Sequence, residues 1–407
     1  MVRRRTHLAM TPRAALAAVL LSVALGVAAA ARADVASDQA AAVLVFPKIV
    51  VDTSGVLPVP GGPRIDTLVR VSNTSTRPIS MHCFWVNANG HCSNAQDVIC
   101  DPNAAAASSP CGPTGSCVQG WQETDFAVTI TARQPVAWLA SRGAVLCDPS
   151  DTSGALCLPL GPDHPGPGGQ DNSGSRIQGV SEDPFIGELK CVAVDSNGVP
   201  VDRNDLKGEA EITRLTGATP DVEGYNAIGI PAVVGANNGD TTLVLGGSTA
   251  EYSSCPNILI LDHFFDGAND PISGDTVTTD LTLVPCTEDF LTQAPITTPV
   301  QFLVFNEFEQ RFSTSRRITC FDEIPISNIE TRSADRSIFS AAVSGTLTGQ
   351  TRIRGVDQPN VPGTPAHGNT LLGIAEEFRA GGGSAAVNLH FHGTRPQPDY
   401  IYLPPPN

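Results

Sequence analysis

Two histidines near the C-terminal end of the chain, His390 and His392, have a spacing that suits metal ligation on a strand. Side chains of a β-strand alternate between its two faces, so residues two apart point the same way. Together with His263 or an acidic neighbour, they would form a site for a transition metal such as zinc, copper or iron. The alternative is a C-terminal strand with one polar face, and the spacing leaves both interpretations open.

A second candidate site lies in the predicted hairpin that contains Asp195, Asn197 and Asp202. Calcium prefers oxygen ligands of this kind, and exported proteins meet calcium at concentrations that fill weak sites. Asp and Asn are also ordinary turn formers, because their side chains bond to nearby backbone amides. The sequence has no EF-hand pattern, so calcium binding is one of two interpretations of this hairpin.

The third candidate is Trp121, at the edge of a cysteine-rich segment. An aromatic ring in a surface loop is suited to stacking against a sugar, because it combines a large apolar face with a polar N–H group. Trp85 and Trp138 fall on predicted strands and are assigned to the core. The sequence contains neither a G-x-S-x-G nucleophile elbow nor a glycine-rich phosphate loop. Catalysis by those two routes is therefore not indicated.

The chain has 11 cysteines. In an exported chain this number predicts disulfides, and an odd count leaves at least one thiol unpaired. The three pairs suggested by the predicted strands and loops are Cys286–Cys320, Cys147–Cys157 and Cys83–Cys191.

The other cysteines cluster in one segment, apart from Cys255, which we expect to be the unpaired thiol. The clustered four are expected to pair among themselves in an order that the sequence does not define: Cys92, Cys100, Cys111 and Cys117. Their spacing contains no C-x2-C knuckle, which disfavours structural zinc as the alternative.

The elements that must position these residues read as strands. Apolar and polar residues alternate in short segments such as 66–72 and 125–131, and Gly, Pro, Asn and Asp separate them. Pro47 interrupts one apolar run and predicts an edge or a bulge there. Two segments without periodicity, 87–120 and 143–182, read as insertions. Long amphipathic helices are absent from the sequence, so we predict an all-β protein of sandwich type.

A repeated pattern predicts two domains. Residues 204–211 share the pattern N-x-L-x-G-x-A-E with residues 369–376, and residues 43–47 resemble residues 281–285. We interpret this as an internal duplication into two tandem β-sandwich-like domains of Greek-key or immunoglobulin-like type. The expected domains are 34–268, which carries both insertions, and 275–407.

The N-terminal segment predicts export. Arginines at positions 3 to 5 precede an apolar run over 14–30, and Ala31-Arg32-Ala33 follows as a small-x-small cleavage motif. These features are typical of a secretory signal peptide over residues 1–33. No second apolar run of membrane-spanning length occurs later in the sequence, so we expect a secreted, periplasmic or cell-surface protein without a transmembrane segment.

The charge balance is strongly acidic. The full chain has a formal net charge of −16, and removal of residues 1–33 leaves 20 basic and 41 acidic residues, a net charge of −21. An acidic surface repels nucleic acids and anionic lipids, which disfavours both as partners.

The expected function is that of an exported, non-catalytic protein that binds, adheres or builds the cell envelope, with a surface protein or a glycan as partner. One alternative is a secreted metal-dependent enzyme that uses His390, His392 and His263. The other is a calcium-supported carbohydrate-binding module that uses the loops after Cys83.

Overall fold

Strands form where apolar and polar residues alternate, because each strand then has one face to bury. In the segment Arg64–Asn73, every second side chain is buried. The structure is a computed structural model, and it describes residues 35–56, 61–100, 110–118, 120–144, 177–293, 295–330, 336–357 and 369–405. The all-β fold predicted from the sequence is confirmed.

The strands of the first half are β1 (Val43–Val51), β2 (Arg64–Asn73), β3 (Ile79–Asn87), β4 (Gly90–Cys92), β5 (Ala95–Cys100), β6 (Cys117–Val118), β7 (Gln122–Ile130), β8 (Pro135–Leu139), β9 (Phe185–Val194), β10 (Leu206–Thr216), β11 (Thr219–Asn226) and β12 (Ile228–Ile230). The later strands are β13 (Thr242–Leu245), β14 (Pro256–Phe264), β15 (Val277–Pro285), β16 (Glu288–Asp289), β17 (Thr297–Asn306), β18 (Arg311–Thr319), β19 (Asp322–Pro325), β20 (Thr348–Gly355), β21 (Leu371–Arg379), β22 (Ser384–Asn388), β23 (His390–Thr394) and β24 (Asp399–Tyr402). The residues described between β19 and β20 include a 3-10 helix at Ile326–Asn328 and a one-turn α-helix, α1, at Ala341–Ser344.

Four large sheets contain most of these strands. Sheet I has the order β12-β1-β9-β3-β7, and sheet II has the order β11-β10-β2-β8. Sheet III has the order β18-β17-β20-β14-β23, and sheet IV has the order β19-β15-β21-β22. A cover sheet has the order β13-β24-β16, and a small sheet, β5-β4-β6, lies inside the first predicted insertion.

The two halves share one strand order. Replacing β1, β2, β3, β7, β8, β9, β10, β11 and β12 by β14, β15, β17, β18, β19, β20, β21, β22 and β23 converts sheets I and II into sheets III and IV. Pairing therefore matches β1 with β14, whereas the resemblance of residues 43–47 to 281–285 had matched it with β15. The internal duplication and its domain bounds stay predictions, and β14 pairs with β20 and β23 of the second half.

Two cores show how the sheets are stacked. Sheets I and II enclose the first core and sheets III and IV enclose the second. Leu372 and Ile374 on β21 belong to the first core, whereas Leu371 and Ala375 on the same strand belong to the second. Sheet IV therefore packs against both cores, and residues Asp34–Asn407 form one compact unit.

The disulfides agree with the sequence prediction in part. The structure joins Cys83 to Cys191 between adjacent strands β3 and β9. The four clustered cysteines pair among themselves as Cys92–Cys111 and Cys100–Cys117. The predicted Cys147–Cys157 pair lies outside the described residues.

The predicted Cys286–Cys320 pair is wrong. Cys286 is bonded to Cys255, and Cys320 is the free thiol among the described cysteines. The prediction failed because Cys255 comes directly before β14, which pairs within the second half. That half then has three cysteines to choose from, and counting them does not select the pair.

Among the described residues, no helix is long and apolar enough to cross a membrane.

Candidate functional site

A cavity of about 800 Å³ lies at one end of sheet III. Its lining includes Asp262, His263, Phe305, Glu307, Gln350 and Arg352. Two of these side chains are held by neighbours: Asp262 Oδ1 accepts a hydrogen bond from Gln350 at 3.1 Å, and Glu307 accepts one from the Thr348 hydroxyl at 2.7 Å. The bonds from Thr348 also lower the pKa of Glu307. Glu307 is therefore ionised at neutral pH, and both carboxylates are fixed in position.

His263 forms part of the cavity wall but is not free to bind a metal. Its Nδ1 lies 2.8 Å from the Phe264 carbonyl oxygen, and its Nε2 lies 2.8 Å from the Thr351 hydroxyl. A carbonyl only accepts, so Nδ1 carries the proton and Nε2 accepts from Thr351. Burial lowers the pKa of His263 to about 4, so the ring is neutral at neutral pH. Both ring nitrogens are already bonded, which favours a structural role.

The outer face of sheet III extends from this cavity and is open to solvent. In its centre, the exposed Arg352 on β20 pairs with Leu303 on β17 and with Ile260 on β14. The guanidinium of Arg352 stacks over the Phe305 ring at 5.6 Å from the ring centre. Half-buried apolar side chains therefore alternate with arginine on a face that the described part of the chain does not cover.

Four arginines on sheet III point to this face or its edge: Arg311, Arg317, Arg352 and Arg354. All four are exposed, and none forms an ion pair with a described residue. Arg352 Nε donates to Gln350 at 3.3 Å, and the stacking on Phe305 leaves its terminal nitrogens available to an anionic partner. The face thus combines free positive charge with apolar surface in a protein whose net charge is negative.

Sheet I has the same strand order, but its outer face is covered. Lys190 on β9 pairs with Phe84 on β3. The equivalent pair on sheet III is Arg352 on β20 with Leu303 on β17. Lys190 Nζ lies 3.0 Å from Glu188 and 2.5 Å from Glu288, a residue of the cover sheet. Phe290 stacks on Phe84 with the ring centres 4.0 Å apart. An acidic residue and an aromatic residue therefore fill the place that is open on sheet III.

The buried Lys190 cluster contains more carboxyl groups than lysines, and one carboxyl takes up a proton. Glu188, Lys190 and Glu288 are all fully buried. Burial raises the pKa of Glu188 to about 8, against the attraction of Lys190. The neighbouring thiol of Cys320 is also buried, and burial raises its pKa above the ordinary value. At neutral pH Glu188 is therefore a neutral carboxylic acid.

A second buried cluster joins the two halves. Lys48, which follows the predicted bulge at Pro47, contacts Glu376 and lies 2.7 Å from Glu323. Arg214 lies 2.7 Å from the same Glu376 and also contacts Glu223. Burying charge is costly unless each group is paired, and here lysine, arginine and glutamates compensate one another. The arrangement is that of a structural joint between β1, β10 and β21.

The predicted transition-metal ligands do not come together. His390 and His392 are exposed on β23, where they pair with Ile260 and Ile258 of β14. His263 is buried on β14 and opposite Gly349. Among the described residues, the group of three or more His, Cys, Asp or Glu ligand atoms within 4.8 Å is Cys92, Cys100 and Cys111. Those cysteines are in disulfides, so their thiolates are not available.

The predicted calcium hairpin uses its oxygens to shape turns. Asp195 Oδ1 accepts hydrogen bonds from the backbone amides of Asn197 at 2.8 Å and Val199 at 3.0 Å. The bond from Val199 lowers the pKa of Asp195. Asp202 accepts from the backbone amide of Gly235. Steric and hydrogen-bonding preferences of turns account for these residues.

Trp121 is half-buried rather than displayed for a ligand. Its indole N–H donates to Glu288 at 3.1 Å, and its ring lies 6.3 Å from Phe290. The residue therefore seals the buried Lys190 cluster from one side. The predicted core positions of Trp85 and Trp138 are confirmed.

Sequence reasoning missed both the Lys190 cluster and the arginine face. A usable signal was present for the first, because Lys190 interrupts an otherwise apolar run on β9, where a charge must find a partner. No comparable signal marked the second. The outward direction of Arg352 and Arg354 depends on register, and their freedom from cover depends on the rest of the chain.

The geometry defines an all-β protein made of two pairs of packed sheets, braced by disulfides and buried charge. No protein-family model matches the chain, and no curated protein matches it.

Proposed function

We propose that the protein is exported and acts by binding, as a surface or envelope component. The observation that carries the proposal is the open outer face of sheet III, compared with the covered face of sheet I. Arg352 is exposed between half-buried apolar residues, whereas Lys190 at the equivalent place is fully buried. Exposed apolar surface rimmed by polar groups is typical of an interaction site.

The disulfides support the location. Four are formed among the described residues, and disulfides persist in oxidising compartments such as the periplasm or the cell exterior. The predicted signal peptide over 1–33 is consistent with this. The metal-dependent enzyme and the calcium-supported carbohydrate module are less favoured, because His263 is engaged in the core and Trp121 is engaged with Glu288.

Cell fractionation tests the export half of the proposal. We expect a chain that starts at Asp34 and is found outside the cytoplasm, with its paired cysteines protected from alkylation. Leu20→Arg with Leu21→Arg, in the apolar run of the predicted signal, should leave the chain unprocessed inside the cell. As a control, Val234→Arg with Ile272→Arg adds the same charges at residues that are 79% and 95% exposed. This control should be exported normally, and a cytoplasmic wild-type chain would refute export.

Sedimentation with envelope fragments from the same cells tests the binding half. The purified mature chain should pellet with the fragments and should be released as salt increases, because an arginine surface attracts anionic groups through screened charge. A chain that stays in the supernatant at every salt concentration would refute binding to the envelope.

A further inference from the structure

We propose that the outer face of sheet III binds a second copy of this chain through a two-fold axis. In this arrangement the acidic tip of each copy contacts the arginine end of the other. The inference rests on the proposed function, since it names the partner of that face. The tip is the β17–β18 turn with Glu307, Phe308 and Glu309, and the arginine end is formed by Arg317 and Arg354.

Charge is distributed unevenly along the face, with arginines at one end and carboxylates at the other. Arg354 pairs with Gln301, and Arg317 pairs with Pro299, so both lie near the start of β17. The tip lies beyond the other end of β17, roughly 20 Å away at about 3.3 Å per residue. At that end the carboxylates of Asp262, Glu307 and Glu309 outnumber the one arginine, Arg311. Asp357 also lies near the arginine end, but it is already bound to Arg395 at 2.9 Å.

A two-fold axis brings opposite ends of one face together. In such an interface each residue contacts a residue of the other copy, and the reverse contact follows by symmetry. A face with an acidic end and an arginine end is therefore complementary to itself. The apolar middle of the face, which includes Leu303 and Ile260, would meet its own copy near the axis.

The covered outer face of sheet I shows which side chains pack on a face of this kind. On sheet I, Lys190 receives the carboxylate of Glu288, and the aromatic Phe84 receives the ring of Phe290. The occupying segment thus has an acid and, two residues later, an aromatic ring. The tip of sheet III contains the same two groups as neighbours, and Phe308 is 72% exposed. An exposed phenylalanine beside carboxylates matches the chemistry that the covered face accepts.

Hydrogen bonds within the monomer hold the tip in one shape before any contact with a second copy. Asn306 Oδ1 accepts hydrogen bonds from the amides of Phe308 at 3.0 Å and Gln310 at 2.9 Å. Glu307 is fixed by Thr348. The backbone amide of Glu309, which has a φ of 61°, donates to the Asn306 carbonyl oxygen at 3.0 Å. A fixed tip loses little conformational entropy on binding, which favours association.

Sedimentation velocity of the mature chain over a range of concentrations tests the inference. We expect a monomer–dimer equilibrium that weakens as salt increases, because the contacts between tip and arginines are screened. Arg317→Glu with Arg354→Glu should weaken the dimer at least about tenfold, as like-charge contacts replace attractive ones at both tips. Arg64→Glu with Arg77→Glu makes the same change at exposed residues of the first half and should leave the dimer unchanged.

Mixing two variants gives the decisive result. Glu309→Arg alone and Arg317→Glu with Arg354→Glu alone should each be monomeric. Their mixture should form heterodimers, because one tip contact is restored with reversed charges and the other is native. A wild-type chain that stays monomeric, open-ended oligomers, or a mixture without heterodimers would overturn the inference. Unchanged unfolding transitions of both variants would show that the substitutions act on the contact.

The outcomes separate this inference from the proposed function. A monomeric chain that pellets with envelope fragments removes the second copy as partner and leaves the binding function. A dimeric chain that never pellets removes the envelope function and leaves the dimer.

Discussion

Sheets I and III have one strand order, and their central strands carry a basic residue at the same paired position. Lys190 is fully buried, and its ammonium is held by Glu188 and Glu288. Arg352 is exposed, and its guanidinium lies over Phe305. The strand order is equal, and the difference lies in what packs on top. The role of a basic residue is therefore decided by the neighbouring layer and not by its own strand.

The position two residues before the basic residue also differs between the covered and the open sheet. Glu188 pairs with Val86 on sheet I, and the matching position on sheet III, opposite Phe305, is occupied by Gln350. Under cover, the buried lysine needs an acceptor in place of water, and Glu188 accepts a hydrogen bond from it at 3.0 Å. On the open face an amide is sufficient, because water solvates the arginine.

The turn after the third strand of each half differs in a related way. In the first half, Asn87 and Asn89 donate to Glu182 at 2.5 and 2.6 Å, so a residue of the second insertion fills the end of the sheet. In the second half, Asn306 starts the exposed tip, and the cavity of about 800 Å³ remains beside it. Glu182 of the first half thus occupies space that the second half leaves open.

The largest expected difference between the halves concerns the two basic residues. Lys190→Met should lower the free energy of unfolding by about 3–5 kcal/mol, because it leaves buried carboxyl groups without their partner. Arg352→Met should change it by less than about 0.5 kcal/mol, since the residue is exposed and forms no ion pair with a described residue. Urea unfolding of both variants measures this. Equal losses would show that the two positions do not differ as described.

A smaller difference is expected at two glycines that face neighbouring backbone. A Cβ at Gly187 would lie 1.9 Å from the Val86 carbonyl oxygen, whereas one at Gly349 would lie 2.5 Å from the Phe265 ring and 2.8 Å from the Phe305 carbonyl oxygen. Overpacking of this kind costs about 1–3 kcal/mol, and the closer contact should cost more. Gly187→Ala should therefore be the more destabilising of the two in urea unfolding. The reverse order would contradict the tighter packing of the covered sheet.

The smallest expected effect concerns pH. The pKa of Glu188 is raised from 4.5 to about 8, so the folded chain holds a proton that the unfolded chain loses in this range. The stabilisation is complete below pH 4.5 and is lost as pH rises towards 8. Glu188→Gln should remove at least about 1 kcal/mol of this loss, because the amide does not titrate.

Unfolding free energies of wild type and Glu188→Gln across this range provide the measurement. Gln350→Glu on the open face is the matched control, and it should leave the pH dependence unchanged because water solvates the new carboxylate. Parallel pH profiles for wild type and Glu188→Gln would refute the assignment of the proton to this cluster.

The strands were predictable, and most of the site was not. Alternation along Arg64–Asn73 survives as alternate burial, because that pattern needs only one buried face. Proline at position 47 marked a real register shift between Phe46 and Ile49. The buried Lys190 cluster depends on Glu288, which is more than 90 residues away from Lys190 in the sequence. The exposure of the arginines depends on which distant segments pack against the sheet, and no local pattern encodes either property.

The cysteines show where the boundary between the two kinds of information lies. Cys83 and Cys191 fall on predicted core strands, and the structure joins them. Cys286 and Cys320 were matched by counting, which fails once β14 pairs with the second half and brings Cys255 with it.

By itself the sequence determined the all-β class, the strand positions and the confinement of four cysteines to one disulfide-linked segment, because these follow from local periodicity and short-range closure. Only the tertiary structure decided which sheet faces are covered, which charges are buried and which cysteine is left free. Those properties arise from the packing of layers that are distant in sequence, where the cost of burying a charge selects its partner.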